Sequence, residues 1–310
     1  MVDLDIIYPF LFKRFYEIIW LMFYNENMNK IIKKEKLNDT VVRLIIEAPL
    51  IANKAKAGQF VIIRVDEIGE RIPLTIADSN KEKGTISIIF QIVGYTTEKL
   101  NLLNENDYIL DVVGPLGEPS KIESKNVIVI GGGVGCAIAL PVAKAFKDSG
   151  AKVTSIIGFR NVDIKILEKE FDEISDKLIV STDDGSYGIK GNVTLPLLEL
   201  LKSGEKFDEI ITIGPLIMMK FVVLTAKEFN VPVTVSMNPI MIDGTGMCGC
   251  CRLSLIRDGK KITKFACVDG PDFNGYEIDF DEAIARNKQY LNEEKLAREK
   301  SCSLFKKEIK

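Results

Sequence analysis

Val127-Ile-Val-Ile130 runs without a break into Gly131-Gly-Gly133-Val-Gly135 and then into Cys136-Ala-Ile-Ala-Leu-Pro-Val-Ala-Lys-Ala-Phe-Lys147. A short run of β-branched residues bounded by turn signals reads as a strand buried on both faces, the kind found in parallel sheets. The small and apolar residues after the glycines read as a helix. Strand, glycine loop and helix in that order place free backbone N–H groups at a helix N-terminus, where a phosphate binds. The spacing is not G-x-G-x-x-G, so a standard Rossmann assignment does not follow.

Three more strands continue the pattern. Lys152-Val-Thr-Ser-Ile-Ile-Gly158 leads into Phe159-Arg160-Asn161, and Leu178-Ile-Val-Ser181 into Thr182-Asp183-Asp184-Gly185-Ser186. Glu209-Ile-Ile-Thr-Ile213 leads into Gly214-Pro215 and then Met218-Met219, which reads as helix packing. Each strand ends in glycine, proline or polar residues, and open α/β sheets bind ligands at those carboxyl ends. Residues 126–236 are therefore expected to form a nucleotide-binding α/β domain.

Upstream, the pattern differs. Thr40–Glu47, Gln59–Val65, Thr85–Val93 and Asp107–Val113 are short β-type runs separated by Gly, Pro, Asn and Asp, which predicts a barrel or sandwich over 28–125. Arg71-Ile-Pro73-Leu74-Thr75 puts a cation and a hydroxyl on one face of a strand, an arrangement suited to a phosphate and a ring edge. Gly94-Tyr95-Thr96-Thr97 reads as a glycine turn entering a helix, suited to a pyrophosphate. A strand-edge arginine beside a turn glycine is the plain alternative.

Downstream lies Asp243-Gly-Thr-Gly-Met-Cys248-Gly-Cys250-Cys251-Arg252, with fifteen residues between Cys251 and Cys267; four of the six cysteines fall here. The plant-type two-iron ferredoxin frame is C-x4-C-x2-C with a distant fourth cysteine. Asp243, Cys248, Cys251 and Cys267 fill that frame, with a carboxylate in the first position. A structural zinc site, a redox-active C-x2-C and inert buried cysteines are the other readings. Cys250 is either a bystander or a substitute for Asp243.

The 310 residues imply about two domains. A net charge of −3 gives no basic field for nucleic acid. Clustered cysteines point to metal binding in a reducing, cytoplasmic setting and not to a disulfide framework. The chain has no histidine. Ser-His-Asp and Cys-His machinery, histidine-ligated zinc hydrolysis, histidine-ligated haem and Rieske ligation are all excluded, so turnover would rest with cofactors.

Residues 1–27 are apolar, but Lys13, Arg14 and Glu17 interrupt them. The run falls short of the ~20 apolar residues of a transmembrane helix. They read as an N-terminal extension before a domain start at Met28. The expectation assigns 237–280 to the cysteine segment, with Val268–Gly275 as loop, and 281–310 to a charged helical tail.

Arg71-x-Pro-Leu-Thr75, Gly114-Pro-Leu-Gly117, Gly131-Gly-Gly-Val-Gly135, Gly214-Pro215 and the terminal cysteines together resemble the ferredoxin-NADP reductase superfamily. Within it, the chain resembles the electron-transfer subunits of dihydroorotate dehydrogenase B. It resembles still more the small subunits of NADH-dependent reduced ferredoxin:NADP oxidoreductases, also called sulfide dehydrogenase small subunits. Thr182-Asp-Asp-Gly-Ser-Tyr-Gly-Ile-Lys-Gly191 and Met237-Asn-Pro-Ile-Met-Ile-Asp-Gly-Thr-Gly-Met-Cys248 carry that last likeness, and the resemblance covers about residues 28–290.

The resemblance implies an FAD-binding β-barrel, an NAD(P)-binding α/β domain and a C-terminal 2Fe-2S segment held by one aspartate and three cysteines. Arg71, Pro73, Leu74 and Thr75 would hold FAD, with Gly94, Thr96 and Thr97 near its pyrophosphate. Gly131, Gly132, Gly133 and Gly135 would hold the nicotinamide nucleotide's phosphates, beside Gly214 and Pro215. Asp183 and Asp184 would favour NAD(H) by disfavouring a 2′-phosphate, whereas Arg160 leaves NADP(H) open. Ile213-Gly214-Pro215 lacks the cysteine that many members carry there, so no catalytic proton-transferring side chain is expected. The resemblance implies a heterodimer that bifurcates electrons with a larger flavin and iron–sulfur subunit related to the glutamate synthase small subunit, with ferredoxin reached through it. The alternatives are a dihydroorotate dehydrogenase B subunit and a colourless zinc-stabilised nucleotide-binding module.

Overall fold

A computed structural model of the chain describes residues 29–289 and Leu296. The N-terminal extension and most of the expected tail lie outside the described residues.

The first half is one curled antiparallel sheet. Its strands are β1 (Asn29–Lys36), β2 (Val41–Glu47), β3 (Phe60–Arg64), β4 (Arg71–Asn80), β5 (Thr85–Gln91), β6 (Tyr108–Ile109) and β7 (Asp111–Leu116), in the order β6-β1-β2-β5-β4-β3-β7. Bulges at Ile31/Lys33, Phe60/Ile62 and Ile76/Asp78 bend it, as a closing sheet requires. Leu110 alone separates the edge strands β6 and β7, and its N–H donates to the Val65 carbonyl at 3.3 Å. The expected single strand over Asp107–Val113 is therefore two strands on opposite edges, and the break nearly closes the barrel. Short helices α1 (Pro49–Ala52) and α2 (Tyr95–Leu102) lie in its connections. Ile31, Leu44, Ile46, Val61, Ile63, Ile86, Ile88 and Phe90 fill the interior.

The second half is a mainly parallel sheet. It comprises β8 (Asn126–Gly132), β9 (Lys152–Phe159), β10 (Lys177–Thr182), β11 (Ile189–Lys190), β12 (Glu209–Ile213) and β13 (Val233–Ser236), in the order β11-β10-β9-β8-β12-β13. Helices α3 (Cys136–Asp148), α4 (Glu168–Ile174), α5 (Thr194–Lys202) and α6 (Leu216–Glu228) connect them. Strand order reverses between β8 and β12, and that switch point is where ligands enter such sheets. The two halves are joined by packing of α3 on β4 and by ion pairs from Lys144 to Asp78 at 3.3 Å and from Arg43 to Glu170 at 2.8 Å.

The cysteine segment adds a hairpin of β14 (Arg252–Arg257) and β15 (Lys260–Phe265), a turn of helix α7 (Ala266–Asp269) and the strand β16 (Asp272–Asn274), followed by α8 (Phe280–Asn287). The expectation of loop over Val268–Gly275 is thus corrected. β16 pairs antiparallel with β13 and extends the nucleotide sheet. At three residues between Gly270-Pro271 and Gly275, it has too little length to show a period. Among the described residues, no helix is long and apolar enough to cross a membrane.

Candidate functional site

β3 is buried on both faces, and its alternation divides two cores. Val61 and Ile63 point into the barrel, while Phe60 and Ile62 join the apolar cluster that also holds Met241, Cys251, Leu253 and Cys267. β4 runs beside it in the register Phe60↔Thr75, Ile62↔Pro73 and Arg64↔Arg71. Directly paired residues share a face, so Arg71, Pro73 and Thr75 lie on the outer face with Ile62. Leu74 lies on the other face and packs against the barrel interior, leaving its backbone as the part able to meet a ligand on the outer face. Arg64 is neutralised by Asp111 at 2.6 Å. Arg71 is exposed and, among the described residues, has no ion pair. Its guanidinium remains available to a phosphate.

The Gly94 turn follows β5. The Thr97 hydroxyl accepts from the Val93 and Gly94 N–H groups, both at 3.0 Å, and donates to the Gly94 carbonyl at 2.8 Å. Thr97 therefore holds the turn's shape with its side chain. Thr96 is buried, and its hydroxyl donates to Glu70 at 3.4 Å. Neither hydroxyl points freely outward, so what this segment offers an anion is the first turn of α2.

At the switch point, the glycines are demanded by close packing. A methyl at Gly135 would lie 2.6 Å from the Ile213 carbonyl oxygen and 2.8 Å from the Gly214 α-carbon. A methyl at Gly132 would lie 2.3 Å from the Met218 sulfur. Gly133 has φ +56 and open space over its α-carbon. The loop therefore leaves room for a phosphate at the start of α3, and Gly131, Gly132, Gly133, Gly135, Gly214 and Pro215 converge there. Met218 covers this loop while Met219 is wholly buried; the sequence reading separated neither role. Burial pushes the Cys136 thiol well up, so it is inert packing.

Arg160, Asp183 and Asp184 lie exposed at the carboxyl ends of β9 and β10. The Asp183 and Asp184 N–H groups donate to the Phe159 and Arg160 carbonyls at 3.0 and 3.2 Å. Asp184 accepts from the Ser186 N–H at 2.9 Å and its hydroxyl at 2.7 Å. Those bonds, the N–H first, hold its carboxyl below the usual carboxylate range.

The cysteine loop is wrapped by Gly244, Gly246 and Gly249, with φ +74, +84 and +68. L-residues with side chains rarely adopt such angles. Asp243 accepts from the Thr245 N–H at 3.0 Å and the Cys248 N–H at 2.9 Å. The Thr245 bond above all keeps it ionised. Cys251 and Cys267 are buried with their sulfurs 3.1 Å apart, while Cys248 is exposed. Burial pushes the Cys267 thiol up to about 12, with Cys251 and Asp243 adding to the rise. Among the described residues, no three such groups are arranged to hold a single metal ion. The donor set itself, three thiols and one ionised carboxylate around a glycine loop, suits a two-iron cluster.

A methyl at Gly244 would lie 2.6 Å from Leu116 Cδ1 and 3.0 Å from Ile62 Cγ1. The cysteine loop therefore rests on the outer face of the barrel, against the strand that pairs with Pro73.

A protein-family comparison matches residues 238–279 to the iron–sulfur cluster binding domain of dihydroorotate dehydrogenase B. The chain is 50% identical over 274 residues, covering 88% of it and 95% of the relative, to the dihydroorotate dehydrogenase B (NAD(+)) electron transfer subunit homolog of Thermotoga maritima. It is 32% identical over 250 residues, covering 79% and 94%, to the dihydroorotate dehydrogenase B (NAD(+)) electron transfer subunit of Streptococcus pneumoniae strain R6. Among solved structures it is similar to a chain of the NADH-dependent reduced ferredoxin-NADP oxidoreductase studied for flavin-based electron bifurcation. That match has a TM-score of 0.82 and 49% identity, and covers 89% of this chain and 98% of the other.

Proposed function

The chain belongs to the family of dihydroorotate dehydrogenase B electron-transfer subunits, and on that premise we propose that it carries electrons between a nicotinamide nucleotide and a larger partner subunit through FAD and a 2Fe-2S cluster. Bound FAD would supply two-electron hydride chemistry toward the nicotinamide nucleotide and one-electron chemistry toward the cluster. The protein's own residues bind, orient and seal.

Arg71 meets an FAD phosphate, Pro73 and Thr75 border the ring on the outer barrel face, and Leu74 contributes backbone. Gly94 and the first turn of α2 take the pyrophosphate, with Thr96 and Thr97 fixing that turn. Gly131–Gly135 and Gly214-Pro215 hold the second nucleotide. Asp183 and Asp184 select NAD(H) by repelling a 2′-phosphate, with Arg160 beside them. Asp243, Cys248, Cys251 and Cys267 ligate the cluster. The corresponding units are 28–125, 126–236 and 237–280. No side chain at Gly214-Pro215 transfers a proton, so hydride transfer there depends on positioning.

The observation that carries this reading is the seat of the cysteine loop on Ile62 and Leu116, one strand from the flavin segment. We take the partner to be a flavin and iron–sulfur subunit related to the glutamate synthase small subunit, with ferredoxin reached through it and the pair bifurcating electrons. The support is the 49% identity across 98% of a bifurcating oxidoreductase chain, together with Asp243 in the first ligand position. The match of 238–279 favours a second reading, in which the partner is a dihydroorotate dehydrogenase. Co-expression with each candidate, followed by size-exclusion chromatography, decides between them. Anaerobic NADH titration of the full chain tests the core of the reading. Bleaching of both flavin and iron–sulfur bands is expected, and a protein with neither band overturns it.

A further inference from the structure

β3 stands between two sites that the proposed function has to connect. On one side, Ile62 is registered opposite Pro73 and Phe60 opposite Thr75, so β3 is the immediate neighbour of the flavin segment. On its outer face, Ile62 and its neighbour Leu116 touch Gly244, the residue after Asp243. Phe60 and Leu116 are themselves paired across β3 and β7. One interstrand spacing, ~4.8 Å, thus separates the flavin strand's backbone from the strand on which the cluster loop rests.

Both contacts are aliphatic and closely packed. Ile62 is 2% exposed, Gly244 is buried, and a methyl on Gly244 has no room. Packed interiors resist small displacements, so this contact fixes where the loop sits. Gly244 also has φ +74, so the loop backbone turns at the very point where it meets the barrel. Asp243 is next in sequence and tied by its two backbone hydrogen bonds. A shift at Gly244 is therefore passed directly to a ligand.

We propose that Ile62 and Leu116, acting against Gly244, are positioning residues that set the gap between the flavin and the iron–sulfur cluster and so the rate at which electrons cross it. The proposal rests on the flavin and cluster reading above. The step moves one electron from reduced flavin to the oxidised cluster, which holds one at a time; the flavin keeps the second until the cluster passes the first to the partner subunit, and the flavin's proton leaves to solvent. No bond is made or broken at Ile62 or Leu116, and no proton passes through them. Their role is separation and exclusion of water.

The test uses the full chain, purified anaerobically, as wild type, Gly244→Ala, Leu116→Ala, Ile62→Val and the double variant Gly244→Ala with Leu116→Ala. Iron, sulfide and flavin contents are measured first. Two readouts follow: the fluorescence lifetime of the bound oxidised flavin, and the lag between flavin and cluster bleaching after rapid mixing with NADH. Leu116→Ala and Ile62→Val are expected to keep cofactor contents and flavin bleaching unchanged while altering the flavin lifetime and the rate of cluster bleaching. Gly244→Ala, strained at φ +74, is expected to lengthen the flavin lifetime and slow cluster bleaching several-fold for the cluster it retains. Leu116→Ala makes room for the added methyl, so the double variant should recover part of that loss, a coupling that independent sites would not show. If Gly244→Ala does not retain iron, Leu116→Ala and Ile62→Val carry the same comparison.

Unchanged lifetime and unchanged cluster bleaching in variants with full cofactor content would overturn the proposal while leaving the electron-transfer reading intact. A wild-type protein without flavin or iron would instead remove that reading itself.

Discussion

Cys251 and Cys267 bring their sulfurs to 3.1 Å, buried beneath a loop whose third cysteine, Cys248, faces solvent. Two of the four proposed ligands are thus anchored in the same apolar cluster as Phe60 and Ile62, and the other two, Asp243 and Cys248, sit on the glycine-wrapped loop. Cys250 is only partly buried; its sulfur lies 4.0 Å from the Cys248 carbonyl, and its thiol also interacts with the Cys248 side chain, which pushes it up.

That division predicts how ligand variants behave. Cys251→Ser and Cys267→Ser should lose most of their iron, whereas Cys250→Ser should keep wild-type iron and sulfide. Metal and acid-labile sulfide analysis of the three variants checks this. Iron loss in Cys250→Ser would place Cys250 among the ligands.

Gly135 predicts a different defect. A methyl there meets the Ile213 carbonyl and the Gly214 α-carbon inside 3 Å, and such overpacking costs ~1–3 kcal/mol. Gly135→Ala should lower the melting temperature and abolish NADH binding by calorimetry, yet retain flavin, because the barrel is a separate core.

The proposed preference for NAD(H) rests on Asp184. Ser186 pins its ionised carboxylate at the end of β10, and a 2′-phosphate nearby would be repelled. Asp184→Asn should shift the NADPH to NADH preference toward NADPH by about tenfold. Competitive binding of the two nucleotides measures it.

Asp272 supplies a pH dependence. Burial raises its pKa above the ordinary 3.8, opposed by the hydroxyls of Ser120 and Ser236, the Ser120 contact being 2.6 Å. A carboxyl with a raised folded-state pKa binds its proton more tightly in the native protein. Its contribution is fully present below the unfolded value and is lost as pH rises through the folded one. Asp272→Asn keeps an oxygen to accept from Ser120 and removes the charge. Its melting temperature should exceed wild type by a few degrees at pH 7–8, ~1 kcal/mol, and the difference should vanish near pH 4. Thermal unfolding followed by circular dichroism across that range decides it.

The parallel sheet was legible because Val127–Ile130 and its successors are short, apolar and glycine-ended, and the structure places them as β8, β9, β10 and β12. The strands β2, β3 and β5 of the barrel were legible, but β1 was not, and nor was the closure, since the break at Leu110 has no signal in a run as apolar as Asp107–Val113. That Asp243, Cys248, Cys251 and Cys267 belong to one segment was legible from their spacing, whereas the Asp243–Cys248 and Cys251–Cys267 contacts within it were not. The contact of Gly244 with Ile62 and Leu116 was not, because it joins segments more than 120 residues apart. Nor was the cover that Met218 gives Gly132, since helical periodicity does not reveal what a first-turn residue reaches across.

The most direct measurement is the iron, sulfide, zinc and flavin content of the anaerobically purified full chain, taken with its visible spectrum and repeated on Asp243→Cys. About two irons and two sulfides per FAD are expected, with the iron–sulfur bands shifted in Asp243→Cys as a thiolate replaces a carboxylate. A colourless protein holding one zinc and no flavin would contradict the account.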